Sequence, residues 1–410
     1  MTLSNGRHYL AIPGPSVIPD PVLQAMHRPA PNIYTGELHD ISDGLMVDLK
    51  RIAGTDGHLA NYISNGHGLW EASLTNLLSR GDKVLACVTG SFGEGWADVA
   101  KKLGAQVDTL DFGKQGPVDP ARLEEALRAD TNHEIKAVMT VHVDTATSVR
   151  NDIPAMRKAI DAAGHPAVFA VDCIASLGCE RFEMDNWGVD VMIAASQKGL
   201  MTPPGMGFVW FSQKAAKLGE SADMRTPYWD WTDRANPEFL YHFYDGTPPT
   251  HHIYGLRKAV DMILEEGLEN VWARHATLAR AYWAALEHWG EEGAIALNIP
   301  ERSNRSHAVS TVHIGGGDGE RLRNWLTEHL GITLGISLGF GGSFGAGTGN
   351  DHFRIGHMGH FNAHMVLGIC GAIESSLVAL DIPHKSGGVT AASTFLAQLG
   401  ADADVTPTGG

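Results

Sequence analysis

Short apolar runs and amphipathic stretches alternate along the first half of the chain. Lys83 to Val88, Gln106 to Leu110, Ala137 to Val141 and Ala167 to Asp172 have the length of strands, while Trp96 to Leu103, Pro120 to Leu127 and Pro154 to Ala163 carry apolar residues at helical spacing. Ahead of them, Asn61-Tyr62-Ile63-Ser64 leads through the glycine turn Asn65-Gly66-His67-Gly68 into the helical pattern Leu69 to Leu78. Two more apolar runs, Met192 to Ala195 and Gly207 to Trp210, extend the series. Strand and helix in such regular turn predict an α/β protein with a doubly wound, mainly parallel sheet and helices on both faces.

The entry is different. Pro13-Gly14-Pro15 and Pro19-Asp20-Pro21 make it stiff and extended, and helix is expected only after Pro21, from Val22 to His27. From about Gly255 the pattern becomes a long amphipathic helix, Leu256 to Leu264, resumed after Gly267 through Leu286. Beyond it, strands at Val309 to His313 and Phe353 to Ile355 surround the helix Glu320 to Leu330, and Val366 to Leu380 completes a smaller α+β domain. The expected organisation is an extended segment over 1–20, a large domain over 21–258, a small C-terminal domain over 259–384 and a Gly/Ala/Thr-rich tail over 385–410, with one short helical pattern at Ala391 to Leu399.

A length of 410 residues suits two domains better than one, and 43% hydrophobic against 19% charged residues suits a large buried core. The formal charge of −16 disfavours nucleic acid and anionic membranes as partners, so any bound phosphate has to be held locally. Cys87, Cys173, Cys179 and Cys370 lack CxxC spacing and read as buried thiols of a reducing compartment. The first residues carry no apolar signal segment, and a cytoplasmic protein is expected. Twenty-one histidines raise the question of a metal, but neither His251-His252 nor His357 with His360 has a helical HExxH setting, and no metal is assigned.

The candidate chemistry centres on Asp172, which closes an apolar run, and on Lys198, in Ser196-Gln197-Lys198-Gly199 after the run Met192 to Ala195. An amine and a carboxylate at the ends of two strands suit pyridoxal phosphate, which needs one to form an imine and the other to keep its pyridine nitrogen protonated. Pro203-Pro204-Gly205 stiffens the loop beyond the lysine.

In this setting, five ordered motifs resemble the class V, fold type I aminotransferases, and among them the alanine/serine-glyoxylate group. They are Pro13-Gly14-Pro15-Ser16, Ser64-Asn65-Gly66-His67-Gly68, Val171-Asp172 with Ser176-Leu177-Gly178, Ser196-Gln197-Lys198-Gly199 with Pro203-Pro204-Gly205, and Arg354-Ile355-Gly356-His357-Met358-Gly359. The resemblance covers about Pro13 to Leu380. It implies that Lys198 forms the Schiff base with pyridoxal 5'-phosphate and later shuttles a proton, and that Asp172 pairs with the pyridinium nitrogen. It implies a phosphate site at Gly66, His67, Gly68 and Gln197, completed by Tyr244 and Thr247 of a neighbouring subunit, hence a homodimer. Phe92 is expected to stack on the cofactor ring and Thr145 to lie near its phenolic oxygen. Arg354 is expected to grip the substrate carboxylate, with Pro15 and Ser16 nearby.

Two stretches depart from the family pattern. Asp144 and Ser148 stand where Glu and Gly are common, and the entry segment Asn32 to His39 differs from the His-Arg-Ser-Pro type of run that helps to line the mouth. Trp229, Trp231, Phe340, Gly341 and Gly342 are further candidates for walls of the site or for packing. The resemblance implies ping-pong transamination from a small amino acid, alanine, serine or aspartate, to a small 2-oxo acid, glyoxylate before pyruvate. The rivals are a carbon-sulfur or carbon-carbon lyase of the desulfurase type, with Cys370 as the thiol to examine, an aminotransferase acting on free pyridoxamine, and a non-catalytic binding protein.

Overall fold

The computed structural model describes residues 3–341 and 350–402. Seven strands form one sheet in the spatial order His58–Tyr62, Gly207–Phe211, Val191–Ala195, Val168–Asp172, Ile135–Val141, Lys83–Val88 and Gln106–Asp111. Neighbours pair in parallel except around Gly207–Phe211, which runs antiparallel to both strands beside it. This is the mainly parallel sheet that the alternation predicts. Its middle strands Val168–Asp172 and Val191–Ala195 are buried at every residue, as strands covered on both faces must be.

The helices expected around Leu69, Trp96, Pro120 and Pro154 are Gly66–Leu77, Ser91–Leu103, Pro120–Ala129 and Ile153–Ala162. Side chains of Asn65, Asp119 and Asp152 accept first-turn amides and so fix where three of them begin. The first helix of the chain corrects an expectation. It spans Asp20–Met26, with Pro21 inside its first turn, where the missing N–H of proline costs nothing because no intrahelical acceptor exists there. A further helix, Glu37–Ala53, has no counterpart among the expected elements, although Leu38, Leu45, Leu49 and Ile52 form its buried stripe.

Two long helices, Thr250–Glu266 and Leu268–Gly290, meet at Gly267, whose φ of 86° breaks the helical path. Residue 258 lies within the first, and Ile253, Leu256, Val260 and Ile263 join the core of the large sheet. Leu278, Tyr282, Leu286 and Trp289 of the second join a separate core with Val312, Phe353, Ile355 and Ile373. That second core backs a small antiparallel sheet of His352–Gly356, Val309–His313 and Ala296–Leu297, as the expected strands require. The N-terminal strand Tyr9–Ala11 reaches across the molecule to pair in parallel with Ile332–Leu334. The tail forms the helix Gly388–Asp402, longer than the pattern at Ala391 to Leu399, while residues 403–410 lie outside the described residues. Among the described residues no helix is long and apolar enough to cross a membrane.

Candidate active site

The parallel strands deliver their carboxyl ends to one edge of the sheet, the usual position of a ligand crevice in open α/β folds. Asp172 ends its strand there, and Lys198 follows three residues after Ala195. Both line a cavity of about 170 Å³, together with Asn65, Gly66, His67, Trp70, Phe92, Val143, Thr145, Ile174, Ala175 and Gln197. The two groups expected to face a common ring therefore do share one chamber.

Their environments push them in opposite directions. Burial lowers the Lys198 ammonium to about 8, and the positive charge of Arg354 adds to that effect, while Asp172 opposes it. Its Nζ donates to the carbonyl oxygen of Pro13. Gly14 makes that approach possible, since a Cβ there would lie 2.3 Å from Nζ. Burial raises the Asp172 carboxyl to about 6, against the stabilising N–H groups of Trp70 and Ile174. Trp70 Nε1 donates to Oδ2 at 2.7 Å and the Ile174 amide to Oδ1 at 2.7 Å.

Gly66, His67 and Gly68 form the first turn of the helix Gly66–Leu77. Asn65 Oδ1 takes the amides of His67 and Gly68 at 3.1 and 3.4 Å, so Asn65 belongs to the same turn although it is absent from the expected set. Side chains at the two glycines would collide with Ile174 and Ser64, at 2.6 and 2.2 Å. Gln197 lines the same cavity, where its side-chain NH2 group can donate to an anion. A glycine cradle at a helix start beside a side-chain amide donor, a carboxylate with a raised pKa and a lysine with a lowered one fit the phosphate, ring and aldehyde ends of pyridoxal phosphate.

Phe92 lines the cavity with its ring edge-on to Trp70, the centroids 6.3 Å apart. The backbone of Phe92 is held by Asp144, the residue that departs from the family pattern. Its buried carboxylate accepts the amides of Phe92 at 2.9 Å, Gly93 at 3.2 Å and Ala146 at 3.0 Å, and so caps the helix that carries the ring. Thr145 lines the cavity, and its carbonyl oxygen accepts from Arg354 Nη1 at 2.9 Å.

Arg354 is 7% exposed, and its Nε donates to the Ile336 carbonyl at 2.8 Å. Burial lowers its pKa to about 10, which leaves it cationic at neutral pH. Ser16, expected at the substrate, uses its hydroxyl on the Lys198 carbonyl at 2.7 Å and its amide on the Gln197 carbonyl at 2.9 Å, so in this structure it fixes the backbone of the lysine. Pro15 is exposed. Tyr244 is buried in the large core and Thr247 is exposed, and neither lines the cavity of its own chain. Trp229 packs on Tyr62 and Trp231 stacks on Phe211 at 4.1 Å, which makes both packing residues. Phe340 stacks on His352 at 4.0 Å, while Gly342 lies outside the described residues. All four cysteines are buried free thiols, and burial pushes Cys370 up to about 12, the opposite of what a desulfurase nucleophile needs.

Comparison with known proteins agrees with this geometry. The family model described as aminotransferase class-V matches residues 67–339. A serine–glyoxylate aminotransferase of Methylorubrum extorquens is 40% identical, with 95% of this chain and 96% of that protein covered. An L-aspartate–glyoxylate aminotransferase of Paracoccus denitrificans is 37% identical, with 96% and 97% covered. The crystal structure of a ureidoglycine–glyoxylate aminotransferase from Bacillus subtilis superimposes with a TM-score of 0.83 at 26% identity, covering 96% of this chain and 99% of that one. On the family model, on relatives aligned almost end to end and on a shared fold, this chain belongs to the class-V aminotransferases.

Proposed function

We propose that this aminotransferase moves the amino group of a small amino acid to glyoxylate in two half-reactions, with pyridoxal phosphate carried on Lys198. The observation that bears most weight is the pair of oppositely shifted groups, Asp172 and Lys198, on the wall of one cavity. Pyridoxal phosphate supplies the electron sink that makes the Cα–H bond of the amino acid acidic, and it holds the amino group between the half-reactions.

The residues do the rest. With its pKa brought to about 8, a useful fraction of Lys198 is a free amine at neutral pH, able to take a proton from Cα and to return one. With pyridoxal phosphate bound, Asp172 would keep a negative charge for the ring nitrogen, Phe92 would cover the ring and Thr145 would serve its phenolic oxygen. The Gly66-His67-Gly68 turn and Gln197 would hold the phosphate. Arg354, with its planar fork anchored by two carbonyls, holds the substrate carboxylate and so aims Cα at Lys198.

The donor lies among alanine, serine and aspartate, and the relatives named for serine and for aspartate support those two. Tyr244 and Thr247, which do not line their own cavity, are assigned to the phosphate of a neighbouring copy in a homodimer. Buried free thiols support a reducing, cytoplasmic setting.

The test is a panel of amino donors with glyoxylate and pyruvate in competition, read as kcat/KM. Glyoxylate is expected to win with at least one of the three donors, and Lys198→Ala is expected to abolish turnover. Release of sulfide or ammonia without an oxo acid would point to a lyase instead.

A further inference from the structure

Of the two N–H groups that hold Asp172, only one depends on a side chain. Any residue but proline at 174 would offer its amide to Oδ1, whereas the donor to Oδ2 exists because position 70 is tryptophan. Nor does burial alone demand this bond. Trp96 and Trp210 are equally buried, and their indole nitrogens have no hydrogen-bond partner among the described residues. Trp70 lies one turn into the helix Gly66–Leu77, and side chains on a helix lean back toward its start. The indole therefore meets His67 edge-on, with centroids 4.6 Å apart, and it also meets Phe92 edge-on, with centroids 6.3 Å apart. One ring touches the residues assigned to the phosphate, to the face of the cofactor and to its pyridine nitrogen.

We propose that Trp70 is a positioning residue that sets how the proton on the cofactor's ring nitrogen is shared with Asp172, through its indole N–H on Oδ2. This rests on the pyridoxal phosphate reading given above. A neutral N–H stabilises a carboxylate without cancelling its charge, so Asp172 stays an anion for the ring and at the same time becomes a weaker base. Without the indole N–H, the carboxylate oxygen draws the shared proton toward itself and the ring loses cationic character.

The test uses the holoenzyme with Trp70→Phe and with Trp70→β-(3-benzothienyl)alanine, an isostere that keeps the ring shape and lacks the N–H. Each is loaded with pyridoxal phosphate or with its 1-deaza analogue, in which carbon replaces the ring nitrogen. The readouts are the two dissociation constants and the 15N shift of a labelled ring nitrogen. Affinity for pyridoxal phosphate is expected to fall about tenfold in both variants, the scale of one hydrogen bond to a charged group. Affinity for the deaza analogue is expected to change by less than about twofold, and the 15N resonance to move toward unprotonated pyridine. Equal losses for both ligands, or an unmoved 15N resonance, would overturn the proposal and leave Trp70 a packing residue. If neither variant folds, the indole proton of Trp70 in the unmodified enzyme decides. Its resonance should shift on loading with pyridoxal phosphate and far less with the deaza analogue, and equal shifts overturn the idea. Failure of the unmodified protein to bind pyridoxal phosphate at all would break the functional reading rather than this one.

Discussion

Asp172 and Glu180 are both buried carboxylates, and they behave in opposite ways. Asp172, 4% exposed, is met by two neutral donors and has its pKa raised to about 6. Glu180, 2% exposed, is met by three polar side chains. His307 Nδ1 lies 2.8 Å from its Oε2, Arg150 Nη1 lies 3.4 Å from the same oxygen, and the Ser306 hydroxyl donates to Oε1 at 3.1 Å. Burial works against ionisation of Glu180 as well, but His307 and Arg150 outweigh it and hold the carboxyl well below the usual range. Burial is thus common to both, and the difference lies in the charge of the partners. A carboxylate already matched by a guanidinium and an imidazole is a finished joint, whereas one hydrogen-bonded only by neutral donors keeps a charge that a cationic ring can balance.

The largest effect that bears on this contrast is expected from Asp172→Asn. Turnover should fall about 1000-fold as the ring loses its anionic partner, yet the apoprotein should melt no lower than the parent, because the substitution removes an under-compensated charge. Kinetics of the loaded enzyme and calorimetry of the apoprotein check both halves. Glu180→Gln should do the reverse, lowering stability by about 3 kcal/mol in urea unfolding while cofactor affinity holds. Because the folded-state pKa of Glu180 is depressed, its contribution is complete above the ordinary glutamate value and is lost as pH falls below it. The gap between parent and variant should therefore close in acid. If Asp172→Asn destabilises the apoprotein as much as Glu180→Gln does, the contrast fails.

A smaller effect is expected from Arg354→Gln, where loss of a charge-assisted contact of about 2 kcal/mol should raise KM for the oxo acid about 30-fold. The same change refines the account of Lys198. Uptake of cofactor by the apoprotein requires the free amine, so its rate should rise with pH through about 8 in the parent. Removing the Arg354 charge favours the ammonium, which raises the lysine pKa and should carry that profile to higher pH. Stopped-flow absorbance over a pH series measures it, and an unshifted midpoint would discard the role given to Arg354 in tuning the amine.

Residues that end strands were legible because apolar runs mark strands, and Asp172 and Lys198 stand just where such runs stop. The glycine turn before Leu69 was legible for a similar reason. Trp70 was not, since helical spacing marks it as one buried residue among several and its bond to Asp172 joins positions 102 apart. The Glu180 joint was hidden likewise, its partners Arg150 and His307 standing far apart in the chain. The helix Glu37–Ala53 has an apolar stripe of Leu38, Leu45, Leu49 and Ile52, but Asp40, Asp43, Gly44 and Asp48 interrupt the pattern that would mark it. No local signal marks the three-residue pairing of Tyr9–Ala11, whose partner strand lies more than 300 positions later.

That pairing sets a schedule for synthesis. The stretch that follows Tyr9–Ala11 contains Pro13, whose carbonyl receives the amine of Lys198, and Ser16, which ties down the lysine's backbone. On a chain still emerging from the ribosome, Tyr9–Ala11 cannot pair until Ile332–Leu334 has been translated. The segment that carries Pro13 and Ser16 is thus seated late, and the amine of Lys198 acquires its finished surroundings only after a stretch more than 300 positions downstream of that strand has been made.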